Sequence, residues 1–154
     1  MAFADYLSAA VFEPLGMSRT RLVGSPAYGV HSTVEDLLAF ARELLRPTLI
    51  GPETLADATR PHFADLAGVL PSVGRFDPNP WGLGFEIQGD KQPHWTGTNN
   101  SPRTFGHFGG TGTFLWVDPD VQLAAVALCG REFGPWALEV WPPFSDSLLA
   151  AARR

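Results

Sequence analysis

Gly106-His107-Phe108-Gly109-Gly110-Thr111-Gly112 runs straight into the apolar segment Phe114-Leu115-Trp116-Val117 and then into the turn Asp118-Pro119-Asp120. Glycine at this density at the head of a strand lets a reacting group come close to backbone N–H donors, and it sets one histidine beside that approach. The stretch reads as half of an active site carried on a strand over about 105–117. Proline at the second turn position then reverses the chain into a further strand, about 121–129. Upstream, Trp81-Gly82-Leu83-Gly84-Phe85-Glu86-Ile87-Gln88 alternates large apolar with small or polar residues, the period of a half-buried strand. Strands at 81–88, 105–117 and 121–129 predict a three-stranded antiparallel meander.

Helical patterns surround it. Phe3, Tyr6, Leu7, Ala10 and Val11 repeat at helical spacing, predicting a helix over 3–13 that Pro14-Leu15-Gly16 stops. No Ser, Thr, Asp or Asn precedes this helix to cap its free N–H groups, so the natural polypeptide is expected to continue upstream. Ser32-Thr33-Val34-Glu35 has capping-box spacing and opens a helix over 33–45 with Leu37, Leu38, Ala41, Leu44 and Leu45 on one face. Pro52 starts a shorter helix through 58. From 61 to 80 the pattern dissolves into Gly and Pro, an excursion of the kind that covers a site or moves. A last helix is expected over 144–152, started by Ser145 or by Pro142-Pro143, with Arg153-Arg154 at the negative end of its dipole. The fold class is α+β, with 1–154 as a single domain.

Composition narrows the function classes. A chain of 154 residues fits one domain that buries roughly 70% of its unfolded surface. Its 45% hydrophobic content excludes a disordered tail, while 16 Gly and 14 Pro call for many turns. A net charge of −5 with scattered basic residues argues against nucleic acid as a partner. The longest apolar run, Leu123 to Cys129, is too short to span a bilayer, and Met1-Ala2-Phe3-Ala4 lacks the basic start of an export signal. The location stays unknown from the sequence, with cytoplasm as the default expectation. Cys129 is the only cysteine and reads as a small buried hydrophobe.

Few residues are equipped for chemistry. His31, His62, His94 and His107 have no metal-ligand spacing, so no metal and no cofactor is expected. His94 beside Trp95 reads as a surface loop residue, and His31 as a hydrogen-bonding residue at a helix entrance. A Ser-x-x-Lys nucleophile is absent: the only lysine, Lys91, has Gln88 three residues before it. No serine fits Gly-x-Ser-x-Gly, and no Tyr-x-Asn or Ser-x-Asn occurs. Trp95-Thr96-Gly97 is similar to a Lys-Thr-Gly tripeptide, but it has no cation and precedes no strand. A Cys129–His107 thiol pair is disfavoured, because nothing around Cys129 in the sequence lowers a thiol pKa. His107 stands out, since flanking glycines weaken a strand by up to about 1 kcal/mol each and function is the simplest compensation.

These residues carry a resemblance. Phe3-Ala4-Asp5-Tyr6-Leu7, Val11-Phe12-Glu13-Pro14-Leu15-Gly16-Met17, His31-Ser32-Thr33-Val34-Glu35-Asp36-Leu37, Trp81-Gly82-Leu83-Gly84-Phe85 and Gly106-His107-Phe108-Gly109 occur in that order. Together they resemble the C-terminal half of the serine β-lactamase-like superfamily, which holds class C β-lactamases, D-alanyl-D-alanine peptidases and serine esterases. The resemblance implies three motifs meeting in a cleft: Ser-x-x-Lys on a helix, Tyr-x-Asn on a loop, and Lys-Thr-Gly or His-x-Gly on a strand. His107-Phe108-Gly109 matches the third, and Gly110 falls where the family supplies one oxyanion N–H. The second N–H comes in the family from the nucleophilic serine, which this sequence lacks.

The resemblance implies a partial fold and a partial site. Histidine in place of a permanent cation favours an ester or amide substrate over a β-lactam, and Phe108 with the Trp-rich surroundings agrees with an apolar group. In the family an N-terminal hairpin pairs beside the last strand, so 121–129 is expected to be an open edge. That edge would take a complementing N-terminal segment or a second copy. The two functional readings are the C-terminal part of a serine hydrolase, inactive alone, and a non-catalytic remnant that binds a small ligand or a partner.

Overall fold

The computed structural model describes residues 1–153 and has the expected mixed α+β character. Two short antiparallel pairs precede the central sheet in the chain, β1 (Arg21–Leu22) with β2 (Val30–His31) and β3 (Gly68–Leu70) with β4 (Gly74–Phe76), and the centre is a four-stranded antiparallel sheet in the order β5-β6-β7-β8, formed by Glu86–Ile87, Phe105–Gly109, Thr113–Asp118 and Leu123–Ala127. The meander is thus present, with one more strand than the alternation of 105–117 predicts. Glycine explains the difference. Gly112 takes φ +76° and donates its N–H to the Gly109 carbonyl (3.0 Å), so the chain folds back at 110–112 and pairs Phe108 with Phe114. Residues 105–117 are a hairpin, not a strand.

The strand expected over 81–88 also contracts, to Glu86–Ile87. Its alternating small residues are turn residues: Gly82 N–H donates to the Phe85 carbonyl (2.8 Å), and Gly84 has φ +87°. Asp118-Pro119-Asp120 turns the chain as predicted. The buried Asp118 carboxylate accepts from Ser101 N–H (2.8 Å), Ser101 Oγ–H (2.7 Å) and Asp120 N–H (3.2 Å), which anchors the loop before β6 to the end of β7. β8 is the outer strand of the sheet, shorter than 121–129 because the turn continues through Gln122 at φ 53°.

Each sheet face buries its own cluster. On one side Phe114, Trp116 and Ala125 meet Trp95 and the helix α4, Pro135–Ala152, through Ala137, Trp141 and Leu149. On the other, Phe105, Val117 and Ile87 pack with Leu44 of α2, Val34–Leu45, and with Leu55 of α3, Pro52–Thr59. Burying side chains of this size contributes about 1.5–3 kcal/mol each, so both faces of the sheet are held.

Helix starts follow local chemistry. α2 is capped by Thr33, whose Oγ1 accepts from Asp36 N–H (3.3 Å), one residue later than the Ser32 capping box predicts. Ser32 Oγ instead meets Thr20 Oγ1 (2.7 Å), and Asp36 accepts from Arg19 N–H (2.9 Å) and Thr20 Oγ1 (2.8 Å). His31, exposed on a two-residue strand opposite Arg21, takes no part in this entrance. The N-terminal helix α1, Phe3–Leu7, continues as a π-helical stretch, Ser8–Phe12, with no side chain capping its start. α4 begins nine residues before the predicted start at 144, because Pro135 suits a first turn and Pro142-Pro143 lies within the helix without ending it. Two lost backbone bonds are tolerated there because Trp141 is buried against Phe114 and Phe133. Part of the 61–80 excursion is a small hairpin, Gly68–Leu70 with Gly74–Phe76.

Candidate active site

The strand alternation of β6 decides which side chain faces where. Phe105 joins the cluster on the α2 and α3 side, so His107, two residues on, points to the same face beyond that cover and is exposed. Phe108 points the other way. It stacks on Phe133 (ring centroids 4.3 Å) and approaches Trp95 (5.7 Å), so it belongs to the core beneath α4 and not to a substrate-facing surface. That corrects the expectation that Phe108 contributes to apolar selectivity.

His107 is held at one nitrogen. Its Nδ1–H donates to the Phe108 carbonyl (2.5 Å), a partner that can only accept, which leaves Nε2 as the ring nitrogen without a partner among the described residues. Trp81 meets the ring edge-on at 5.5 Å between centroids, 63° between planes.

The glycines around it have different reasons. A Cβ at Gly106 would lie 2.1 Å from the Leu115 carbonyl oxygen, one at Gly109 would lie 2.8 Å from Thr113 Oγ1, and one at Gly112 would lie 1.9 Å from the Arg131 carbonyl oxygen. Close packing therefore accounts for those three, which weakens the inference from glycine content alone to function. Gly110 is the exception, with a negative or extended φ and open space where a side chain would be. Its carbonyl accepts from Phe133 N–H (2.9 Å), and its own N–H makes no turn hydrogen bond among the described residues.

A second polar cluster was not legible in the sequence. Glu86, 2% exposed, accepts from His94 Nε2–H (3.0 Å to each oxygen) and Trp95 Nε1–H (2.7 Å), and forms an ion pair with Lys91. Lys91 Nζ also donates to Asn79 Oδ1 (3.0 Å), while His94 Nδ1 lies 2.7 Å from Thr96 Oγ1, which donates to Gln88 Oε1 (2.6 Å). Burial pushes the Glu86 carboxyl up, but the hydrogen bond and charge of His94 and the charge of Lys91 outweigh it and leave the carboxyl below its ordinary range. Burial likewise draws the Lys91 ammonium down, against the pull of Glu86. His94 is thus buried and fully bonded, contrary to its reading as a surface loop residue. Thr96 of the Trp95-Thr96-Gly97 tripeptide is tied into the same network, which borders a cavity of about 490 Å³ reaching Leu138 and Pro142 of α4. The one available signal was that Glu86, Gln88, His94 and Thr96 all lie within five positions of the only lysine, Lys91.

Cys129 is exposed, contrary to its reading as a buried hydrophobe. Among the described residues no three His, Cys, Asp or Glu side chains gather where they could hold a metal ion, and no helix is long and apolar enough to cross a membrane.

Residues 1–148 match the family described as Beta-lactamase. The chain belongs to the β-lactamase family. A solved β-lactamase from Mycobacterium bovis, Mb2281c, is 55% identical over 99% of this chain, with a TM-score of 0.96. Two more distant structures share the fold: the simvastatin synthase LovD of Aspergillus terreus, in a mutant form (14% identity over 99% of this chain, TM-score 0.74), and a putative β-lactamase from Bacteroides dorei (15% over 99%, TM-score 0.62). No curated protein matches. The chain spans 57% of the Mb2281c chain and 50% and 52% of the other two, so what it contains is part of the β-lactamase fold.

Proposed function

We propose that this chain supplies the strand-borne part of a serine hydrolase site that cleaves esters or amides through an acyl-enzyme. His107, Gly109 and Gly110 form the third motif in this reading, and the nucleophile comes from residues the chain does not contain. His107 Nε2 contacts the reacting group, and Gly110 N–H is one of two oxyanion donors, the other being the N–H of the serine. The observation that carries the reading is that His107 Nε2 and the Gly110 N–H, three residues apart at the end of β6, both have no hydrogen-bond partner among the described residues. Membership of the β-lactamase family and 55% identity to Mb2281c support it. The chain has no Ser-x-x-Lys, and in this reading it does not hydrolyse esters without the complementing part.

Complementation tests this. The chain is mixed with the part of the Mb2281c chain that it does not cover, and hydrolysis of an activated ester such as p-nitrophenyl acetate is followed. Mixed pieces that hydrolyse no faster than either alone sink the proposal. Labelling of the isolated chain by a fluorophosphonate probe would equally overturn it, because that requires an activated serine within these residues.

A further inference from the structure

Of the five tryptophans, Trp95, Trp116 and Trp141 are buried in the cluster beneath α4, and Trp136 packs against Trp141. Trp81 is set apart. It is half-exposed on the opposite side of β6, and among the described residues its aromatic partner is His107. Trp95, Trp116 and Trp136 each give the indole N–H to an acceptor, namely Glu86, Ser145 Oγ and the Glu132 carbonyl. The Trp81 N–H has no partner among the described residues.

Its backbone, by contrast, is fixed on both sides. The Trp81 carbonyl accepts from His62 N–H (2.7 Å), and Trp81 bridges to Glu86 as well. The next residue is glycine for a packing reason: a Cβ at Gly82 would lie 2.2 Å from the Ala58 carbonyl oxygen at the end of α3. An indole anchored at its root, uncovered on its surface and set against a histidine with a free nitrogen is arranged to touch something brought to that histidine.

We propose that Trp81 is the specificity-determining residue of this site, its ring forming the apolar wall beside His107 that receives the aryl or alkyl group of an ester or amide substrate. This rests on the reading of His107 as part of the site. With Phe108 turned into the core, Trp81 is the large apolar side chain the structure puts against His107 on the exposed face. The wall accepts a flat or extended apolar group and gives little to an acetyl or methyl group alone.

The test uses the chain itself and needs no nucleophile. Phenyl acetate is titrated in, with methyl acetate as the control, while the Trp81 indole N–H and the His107 ring C–H signals are followed by NMR. Phenyl acetate is expected to shift both sets together and to bind tighter than methyl acetate. Trp81→Leu is expected to weaken phenyl acetate binding about tenfold, the scale on which a changed apolar pocket contact acts. Trp81→Phe, which keeps a ring and the fold should leucine disturb it, retains more of the affinity. Binding that leaves the Trp81 signal in place, equal binding of the two esters, or unchanged affinity in both variants overturns the proposal. Failure of the complementation assay would remove the catalytic reading without touching these results, so the two failures are distinguishable.

Discussion

His94 and His107 are separated by 13 residues and sit in opposite environments. His94 is buried, with Nε2 on Glu86 and Nδ1 against Thr96, inside a network whose every buried polar atom has a partner. His107 is exposed, with one nitrogen tied to a neighbouring carbonyl and the other free. The buried cluster has the shifted pKa values and the ion pair, features that draw attention in a search for function. Its bonds are all internal, however, and a closed network has nothing left to offer a ligand. The contrast teaches that unmet hydrogen-bonding capacity beside open space is the better guide here than electrostatic perturbation.

The sharpest way to break this contrast is at Glu86. Removing its carboxylate strands Lys91, His94 and Trp95 in the interior, so Glu86→Leu is expected to destabilise the chain by about 3–5 kcal/mol in urea unfolding; a cost under about 1 kcal/mol would mean the network is dispensable. Next comes Gly106→Ala, which pushes a methyl group against the Leu115 carbonyl and is expected to cost about 1–3 kcal/mol. Circular dichroism melts of that variant check it, and a wild-type transition temperature would deny the close approach.

His107→Ala should behave in the opposite manner. Its stability is expected to stay within about 0.5 kcal/mol of wild type, as for other exposed positions, while ester hydrolysis by the complemented pieces falls about 100-fold. Equal activity would remove His107 from the site. Acid sensitivity separates the two histidine regions again. The Glu86 carboxyl is depressed in the folded state, so its contribution is present above its ordinary value of 4.5 and is lost as pH falls below that toward the folded value. Unfolding free energy measured from pH 6 to pH 3 is expected to drop more steeply for wild type than for Glu86→Gln, and parallel curves would contradict the assignment. The smallest effect belongs to Gly110→Ala: with open space at that Cα, stability should change by less than about 0.5 kcal/mol, and a larger loss in the same unfolding assay would show that Gly110 is structural.

Much of this architecture is legible in the residues themselves. Leu37, Leu38, Ala41, Leu44 and Leu45 repeat at a helix period and form α2, and Pro119 between two aspartates makes the β7–β8 turn. Other parts were hidden because one residue type serves two ends. Gly109, Gly110 and Gly112 read as a strand head, yet they form a turn that splits one predicted strand into two. Gly82 and Gly84 mimic the small positions of an alternating strand while bending the chain. Pro142-Pro143 reads as a helix start, and only the burial of Trp141 shows why the helix runs through it. At the site, His107 was visible through its neighbours, but which of its nitrogens is left without a partner depends on a carbonyl orientation that no spacing encodes. The Glu86 network was invisible because an irregular loop, Gln88 to Thr104, brings its members together.

The 110–112 turn leans on a distant part of the chain: Phe133 N–H holds the Gly110 carbonyl, and the Arg131 carbonyl fills the place of a side chain at Gly112. A heptapeptide copied from 106 to 112 into another protein would therefore not carry its geometry along. The transferable unit runs from Phe105 to Phe133, hairpin and following strand included, and anyone grafting this motif has to move that whole span together.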